Sequence, residues 1–228
     1  MSLFVIGDLH LSFGCEKPMD VFGGRWENYT EKLLRGFSAV GPEDTTVLCG
    51  DLTWGMDFTE ALEDFLFIHR LPGRKIILKG NHDYWWTTVS QAKRFFSAHG
   101  IDSIEILNNN CCLYGEMALC GTRGWSAGEA ADEAHDRKMF ARELLRMEAS
   151  LRAAGEREKL AFLHYPPKTL SSEWTEMLDL LVSYGVTRCF YGHLHSAGCA
   201  HAFEGEYRGV RFRLVSADHV CFVPQKIL

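Results

Sequence analysis

Hydrophobic residues follow two patterns that alternate along much of the chain. Short apolar runs, typical of buried strands, cover residues 3–7, 46–49, 75–79, 160–163 and 188–191. Between them, apolar residues recur at spacings of three and four, as in amphipathic helices. These helices are expected near residues 26–39, 58–70, 87–98 and 172–184. Strands that alternate with helices predict parallel pairing with helical crossovers.

Short strands replace this alternation in the middle of the chain and in its tail. In the middle they are predicted at Ile104–Leu107, Cys111–Tyr114 and Met117–Cys120. Gly115 and Glu116 separate the last two as in a tight hairpin. The tail predicts further antiparallel strands at about residues 199–204, 209–215 and 219–223.

One long helix is predicted to follow the hairpin. Ser126 and Glu129 match the capping-box pattern, and the helix should extend from there to about residue 154. Its buried stripe is expected to consist of Phe140, Leu144, Met147 and Leu151. Two sheets packed face to face, with helices outside them, are the simplest arrangement of all these elements.

The bulk composition is that of a soluble globular protein. The 228 residues are 46% hydrophobic and 24% charged, and no linker or repeat divides them, so we expect a single domain over 1–228. A net charge of −6 does not favour nonspecific nucleic-acid binding, but it leaves a nuclease open because bound metals supply positive charge.

The cysteines and the absence of targeting segments bear on the compartment. None of the eight cysteines forms a C-x-x-C pair, and we interpret them as reduced core thiols. The chain begins in a predicted strand without a signal sequence, and no apolar run approaches the ~20 residues of a membrane span. A cytoplasmic protein that does not enter a membrane is therefore expected.

Polar residues with metal-binding or acid–base chemistry follow five of the predicted strands. They are Asp8 and His10, Gly50-Asp51, Gly80-Asn81-His82-Asp83, His164, and Gly192-His193-Leu194-His195. Each motif alone has an ordinary explanation as a turn, a helix cap or a surface histidine. Open α/β sheets place their sites at the carboxyl ends of strands, so five such motifs together predict one shared site. Their carboxylates, amide and imidazoles suit two divalent transition-metal ions.

Aromatic residues and an arginine lie close to these motifs in the sequence. Arg123 and Trp125 follow the strand at 117–120, and Trp54 and Trp85 follow the second and third motifs. A guanidinium fork and flat rings would suit an organic phosphate, so these four residues are candidates for substrate binding. The equally weighted alternative is that the tryptophans only pack the helices onto the sheets.

The order D-x-H, G-D, G-N-H-D, H, G-H-x-H resembles the calcineurin-like metallophosphoesterase superfamily, over residues 4–195. The resemblance implies an α/β fold, a four-layer α/β/β/α sandwich of two mixed β-sheets. It also implies that Asp8, His10 and His195 hold one metal and that Asn81, His164 and His193 hold the other. Asp51 would bridge the two ions, His82 would be the catalytic histidine, and Asp83 would orient it.

The activity implied is metal-dependent phosphoester hydrolysis of a small phosphorylated substrate. A hydroxide that bridges two metals (Mn, Fe, Zn, Co or Ni, with Mn favoured) would attack phosphorus, and His82 would assist the leaving group. Alternatives are a nuclease or cyclic-nucleotide phosphodiesterase, and a non-catalytic metal-binding scaffold. The second motif lacks the Asn that often follows in this superfamily, which leaves the subfamily and the substrate open.

Overall fold

The first β-sheet combines four strands from the N-terminal half with one from the C-terminus. In the computed structural model, which describes residues 1–126 and 132–228, these strands are β1 (Leu3–Ile6), β2 (Thr45–Leu48), β3 (Arg74–Ile77), β4 (Ile104–Ile106) and β11 (Gln225–Lys226). Their order is β11-β1-β2-β3-β4. The four N-terminal strands are parallel, as predicted for β1, β2 and β3, and β11 is antiparallel to β1.

The second β-sheet contains the other six strands of the part of the chain that the structure describes. They are β5 (Cys111–Tyr114), β6 (Met117–Thr122), β7 (Lys159–Leu163), β8 (Arg188–Tyr191), β9 (Gly205–Tyr207) and β10 (Val210–Leu214). Their order is β5-β6-β7-β8-β10-β9, with antiparallel pairs at both edges and parallel pairs between them. The hairpin prediction is confirmed, because Tyr114 pairs with Met117 and Gly115 takes a positive φ of 55° in the turn.

Among the described residues, five α-helices cover the outer faces of the two sheets. They are α1 (Tyr29–Phe37), α2 (Leu62–Arg70), α3 (Val89–Ala98), α4 (Glu133–Ala153) and α5 (Thr175–Ser183). Side chains alternate along each strand, so Phe4 and Ile6 pack against α1–α3 while Leu3 and Val5 face the other sheet. Helices α4 and α5 pack on the far face of the second sheet. The four-layer sandwich of two mixed sheets is thereby confirmed.

Helix boundaries and faces follow the predictions with shifts of several residues. Helix α1 begins at Tyr29, because Asn28 has a left-handed φ of 52° and Trp26 lies in a separate 3-10 turn. In α4, Met147 and Leu151 are buried as expected, whereas Phe140 and Leu144 are only half-buried. The predicted capping box at Ser126–Glu129 runs into residues 127–131, which lie outside the described residues. The observed N-cap of α4 is Asp132, whose side chain accepts from the amide of His135.

The prediction for the tail is wrong at two of its three strands. Residues 196–201 form a 3-10 helix instead of an extended strand. Residues 219–223 form turns, because Cys221 and Phe222 have left-handed φ values of 55° and 61° and Phe222 is buried against the α1 layer. The strand near 209–215 exists as β10, but it pairs parallel with β8 and antiparallel only with β9. That parallel pairing decides where the carboxyl end of β10 points.

The cysteines and the helices can be compared with what the sequence predicts about thiols and membrane spans. All eight cysteines are free thiols, and four of them are buried: Cys49, Cys112, Cys120 and Cys189. Within residues 1–126 and 132–228, every helix is too short or too polar to cross a membrane.

Candidate metal centre

The candidate site lies where the carboxyl ends of strands from both sheets meet. Asp8 and His10 follow β1, Asp51 follows β2, and Asn81 to Asp83 follow β3 in the first sheet. His164 follows β7, and His193 and His195 follow β8 in the second sheet. Because these strands are parallel within their sheets, the loops that follow them share one edge. The structure brings all seven predicted metal ligands together there.

The backbone at this edge is held in a conformation that non-glycine residues avoid. Asp8, His10, Asp51 and His193 have φ values of 59°, 47°, 50° and 73°. Each such residue costs about 1–3 kcal/mol, and strain of this kind is concentrated at functional sites. Backbone hydrogen bonds fix the conformation: the amide of Asp8 donates to the carbonyl of Gly50 at 2.9 Å, and that of His10 to the carbonyl of Asp51 at 2.9 Å.

Two glycines allow the loops to approach each other closely. A Cβ atom at Gly80 would collide with the Asp51 carboxylate, and a Cβ atom at Gly192 would collide with the Asp8 carboxylate. Any larger residue at either position would push apart loops that carry metal-ligating side chains. The glycines of the G-N-H-D and G-H-x-H motifs therefore serve the packing of the site.

One group of ligands consists of Asp8, His10, Asp51 and His195. One donor atom from each lies within 4.8 Å of the others. The Nε2 atoms of His10 and His195 are 3.2 Å apart, and Nε2 of His195 lies 3.4 Å from Oδ1 of Asp8. Donor atoms that converge on one small volume are the arrangement of a metal site.

A second group is built around the side-chain oxygen of Asn81. This oxygen lies 2.6 Å from Nε2 of His164 and 3.0 Å from Nδ1 of His193. Oδ2 of Asp51 is 3.5 Å from Nε2 of His164 and 3.7 Å from Nε2 of His10. The Asp51 carboxylate thus lies within 3.7 Å of one histidine from each of the two groups.

The pKa values of the side chains in the site indicate whether the site suits bound cations. Burial raises the pKa of Asp51 to about 7, whereas burial lowers the pKa of His193 to about 3. For His195, burial alone would lower the pKa, but the Asp8 and Asp218 carboxylates raise it to about 10. Cations among these groups would keep the carboxylates ionised and the imidazoles neutral, the protonation state of metal ligands. Nitrogen and oxygen donors without thiolates fit divalent transition metals.

His82 lies beside the ligand groups. Its backbone amide donates to Oδ1 of Asp51 at 2.8 Å, and its ring is 4.4 Å from that of Trp54 and 5.6 Å from that of His10. Burial, followed by the influence of His164 and His195, lowers the pKa of His82 to about 4. The free site therefore holds a neutral imidazole at pH 7.

Asp83 does not orient the ring of His82 through a hydrogen bond, as its expected role would require. Nδ1 of His82 has no hydrogen-bond partner among the described residues. Asp83 instead accepts from the amides of Asp51, Leu52 and Gly80 at 2.7–3.0 Å, and from the indole of Trp85 at 3.0 Å. Unpaired buried amides would be costly, so this carboxylate ties the loops after β2 and β3 together. Asp83 positions the backbone of the site.

The four candidate substrate-binding residues have different environments. Trp85 is 1% exposed inside the α1–α3 layer, so its predicted contact with substrate is wrong. Trp54 is half-buried and stacks on His10 with ring centroids 4.9 Å apart. Trp125 is buried, donates to Asp136 at 2.8 Å, and lies 4.7 Å from the guanidinium of Arg123. Arg123 and Trp125 line two separate cavities, of about 340 and 570 Å³.

Sequence reasoning missed Asp218. Its side chain is 1% exposed, its Oδ1 lies 3.2 Å from Nδ1 of His195, and its Oδ2 accepts from the amide of Ser196 at 2.8 Å. A carboxylate behind a metal-ligating histidine fixes the ring and its tautomer. The sequence feature that could have identified Asp218 is its position, shortly after the end of a strand (β10), like that of the other site residues. The neighbouring His219 does not join the site and pairs with Glu204 at 3.2 Å.

Comparisons with known proteins identify a family and support the fold. The model of a family described as calcineurin-like phosphoesterase matches residues 1–197. A solved structure, that of the protein of unknown function AQ665 from Aquifex aeolicus, is 17% identical with a TM-score of 0.55, over 99% of this chain and 95% of that one. A second is 11% identical with a TM-score of 0.54, over 92% of this chain and 88% of that one. At these identities the two structures support the fold alone. No curated protein matches the chain.

Proposed function

Because the chain belongs to the calcineurin-like phosphoesterase family, we propose that it is a metal-dependent phosphoester hydrolase that acts on small phosphorylated molecules. One observation carries the proposal: donor atoms of the buried Asp8, His10 and Asp51 and of the half-buried His195 lie within 4.8 Å of one another. Such a cluster is costly to bury unless a cation compensates its charge.

Two metal ions account for the ligand set better than one. Asp8, His10 and His195 would hold the first ion, Asn81, His164 and His193 the second, and Asp51 both. Manganese is our preferred ion among Mn, Fe, Zn, Co and Ni. When bound, such ions supply positive charge for the phosphate oxygens and lower the pKa of a bound water to near neutrality.

Side chains around the metals would orient the ester. His82 would donate a hydrogen bond from its neutral ring N–H to the leaving oxygen, since its backbone is fixed by Asp51 and its ring borders the ligand groups. Trp54 would close one side of the site through its stacking on His10 and its tilted contact with the ring of His82. Arg123 would contact the substrate, and Trp125 would act through Arg123 by stacking on its guanidinium.

Activity measurements on the metal-loaded protein test the proposal. Purified protein, freed of metal and reloaded with Mn²⁺, should hydrolyse 4-nitrophenyl phosphate or bis(4-nitrophenyl) phosphate, and the preference between them distinguishes a monoesterase from a diesterase. The Asp51→Ala variant is the control for contaminating phosphatases. Equal rates for both proteins, or no hydrolysis by fully loaded wild type, would overturn the proposal and favour a scaffold.

A further inference from the structure

A cavity of about 340 Å³ lies beside the metal centre along the same edge of the sandwich. Its walls come from residues that follow β3, β4 and β6, and from helices α3 and α4. The metal centre uses the ends of β1, β2, β3, β7 and β8, so the two regions share β3 and meet where β6 adjoins β7. Lys79 in the cavity wall is two residues before Asn81. The volume is in the range of small-molecule sites.

The cavity is strongly basic. Lys79, Arg123, Arg142 and Arg146 line it, and no acidic residue of the described chain is in its lining. Behind the wall, the fully buried Glu143 has its Oε1 at 2.8 Å from Arg146, 3.5 Å from Arg142 and 3.9 Å from Arg123. Its other oxygen accepts from the Thr122 hydroxyl at 2.6 Å. One carboxylate among four cations leaves an excess of about three positive charges.

The arginine at the centre of this cluster is fixed but incompletely paired. The Arg123 side chain is only 14% exposed, and its Nε–H has no hydrogen-bond partner among the described residues. Its guanidinium is held in place by the rings of Trp125 at 4.7 Å and Tyr165 at 6.0 Å. A buried donor without an acceptor is costly, and the residue that carries it lines the cavity, where its guanidinium could pair with an anion.

The N-terminus of α3 adds to the positive potential. Thr88, which caps this ten-residue helix through the amide of Gln91, lines the cavity together with Thr87. Helix N-termini carry partial positive charge, which favours an anion beside this end of α3.

We propose that this cavity binds a second, non-reacting phosphate group of the substrate, while the scissile phosphate occupies the metal centre. The inference rests on the proposed function, because it assumes that an ester phosphate binds the metals. A dianionic phosphate matches an excess of about three positive charges better than a carboxylate does. The preferred substrates are therefore small molecules with two phosphate groups, and the cavity would select them over single phosphates.

Non-hydrolysable ligands allow the second site to be measured by binding. Isothermal titration of the Mn²⁺-loaded protein would compare alkyl monophosphonates with alkane bisphosphonates of increasing chain length, and with phosphonocarboxylates. At the fitting length, the bisphosphonate should bind about tenfold or more tightly than the monophosphonate, and more tightly than the phosphonocarboxylate. A phosphonocarboxylate that binds as tightly as the bisphosphonate would overturn the assignment to phosphate.

Variants on one face of α4 provide the structural test. The Arg142→Gln/Arg146→Gln double variant should lose the advantage of the bisphosphonate, and Arg142→Gln, which keeps the 2.8 Å contact of Arg146 with Glu143, should lose part of it. Arg152→Gln is the matched control, because Arg152 lies on the same helix but pairs with Glu148 away from the cavity. It should bind both ligands as wild type does.

The two hypotheses fail in different ways. No hydrolysis of either nitrophenyl ester by the Mn²⁺-loaded wild type rejects the proposed function. Equal bisphosphonate affinity in wild type and the double variant rejects the second phosphate site, whatever the enzyme hydrolyses. Loss of affinity in Arg152→Gln as large as in the double variant would also reject it, because the effect would then be general electrostatics.

Discussion

The metal centre and the basic cavity lie side by side but are built in different ways. The metal centre uses short side chains on strand-end loops, with left-handed backbone at Asp8, His10, Asp51 and His193. The cavity uses long side chains, two of them from the surface of α4, where Arg142 and Arg146 are 43% and 35% exposed. Backbone therefore fixes the first site, whereas the buried Glu143 organises the second.

This difference matches the demands of the two proposed tasks. Metal ligands must be placed to within a fraction of an ångström, and strained loops tied by hydrogen bonds provide that precision. Recognition of a second phosphate tolerates more movement, because charge acts over several ångströms. Substitutions in the metal centre should consequently have large effects on metal binding and chemistry, and substitutions around the cavity should have smaller effects.

The largest effect is expected at Asp51. Asp51→Ala removes the carboxylate that lies close to both ligand groups, so both should lose metal. Its effect on metal affinity should exceed the ~10–100-fold typical of residues that only support a ligand. Elemental analysis after dialysis measures the bound metal per chain.

His10→Ala is the comparison for this prediction. His10 belongs to one ligand group only, so this variant should lose mainly one ion. Full metal occupancy in Asp51→Ala would contradict the bridging role of Asp51.

His82→Ala should separate chemistry from metal binding. The ring lies beside the ligand groups and is not needed to hold metal, so the variant should keep its ions. Loss of an acid–base group typically lowers kcat by about 10²–10⁴-fold. Kinetics with alkyl and nitrophenyl esters measure the effect, which should be smaller for the nitrophenyl ester because its leaving group needs less assistance. An equal deficit for both esters would exclude His82 as the leaving-group donor.

Asp218→Asn should have an intermediate effect. The substitution keeps the size of the side chain but removes the negative charge behind His195. Metal affinity should fall by about 10–100-fold, as for other residues that support a metal-bound histidine. A metal titration with the matched variant His219→Gln, whose ring pairs with Glu204, measures this. A loss of the same size in His219→Gln would mean that the tail as a whole, and not Asp218, supports the site.

The metal centre could be predicted from sequence because its signals are local. Each ligand follows an apolar strand directly, and parallel strands bring such ends to one edge. Asp218 follows a strand too, but the tail was predicted as antiparallel strands, whose ends alternate between edges. In the structure β10 is parallel to β8, and its end therefore reaches the same edge as His193 and His195.

The other differences arose from contacts between residues far apart in the chain. Asp83 is adjacent to His82 in sequence, but it accepts from amides that only the folded loops bring near it. Glu143 lies between the predicted stripe positions of α4, and it is buried because Thr122 and three arginines compensate its charge. Periodicity contains no information on such pairings, so the basic cavity was not predictable.

Of the four substitutions considered (Asp51→Ala, His82→Ala, Asp218→Asn and Glu143→Gln), Glu143→Gln should have the smallest effect. Its effect should also be the most specific to the basic cavity. The variant keeps the shape of the side chain and its contact with Thr122, but it removes the negative charge that holds three arginines together. Because these arginines are partly exposed, the free energy of unfolding should fall by only about 1–2 kcal/mol. For a chain of this size that corresponds to about 2–8 °C in Tm. The decrease should be larger at low salt, where repulsion among the arginines is least screened.

Glu148→Gln is the matched control for this variant, since Glu148 lies on the same helix and pairs with Arg152 at 2.8 Å at the surface. An exposed pair of this kind contributes about 0.3–0.5 kcal/mol, so its Tm should change by little more than 1 °C. Thermal unfolding of both variants at two salt concentrations shows whether the Tm of Glu143→Gln falls further than that of Glu148→Gln. If they unfold alike, with the same salt dependence, Glu143 is an ordinary helix residue. The arginines would then need no organising carboxylate, and the contrast between a backbone-fixed metal centre and a charge-organised cavity would not hold.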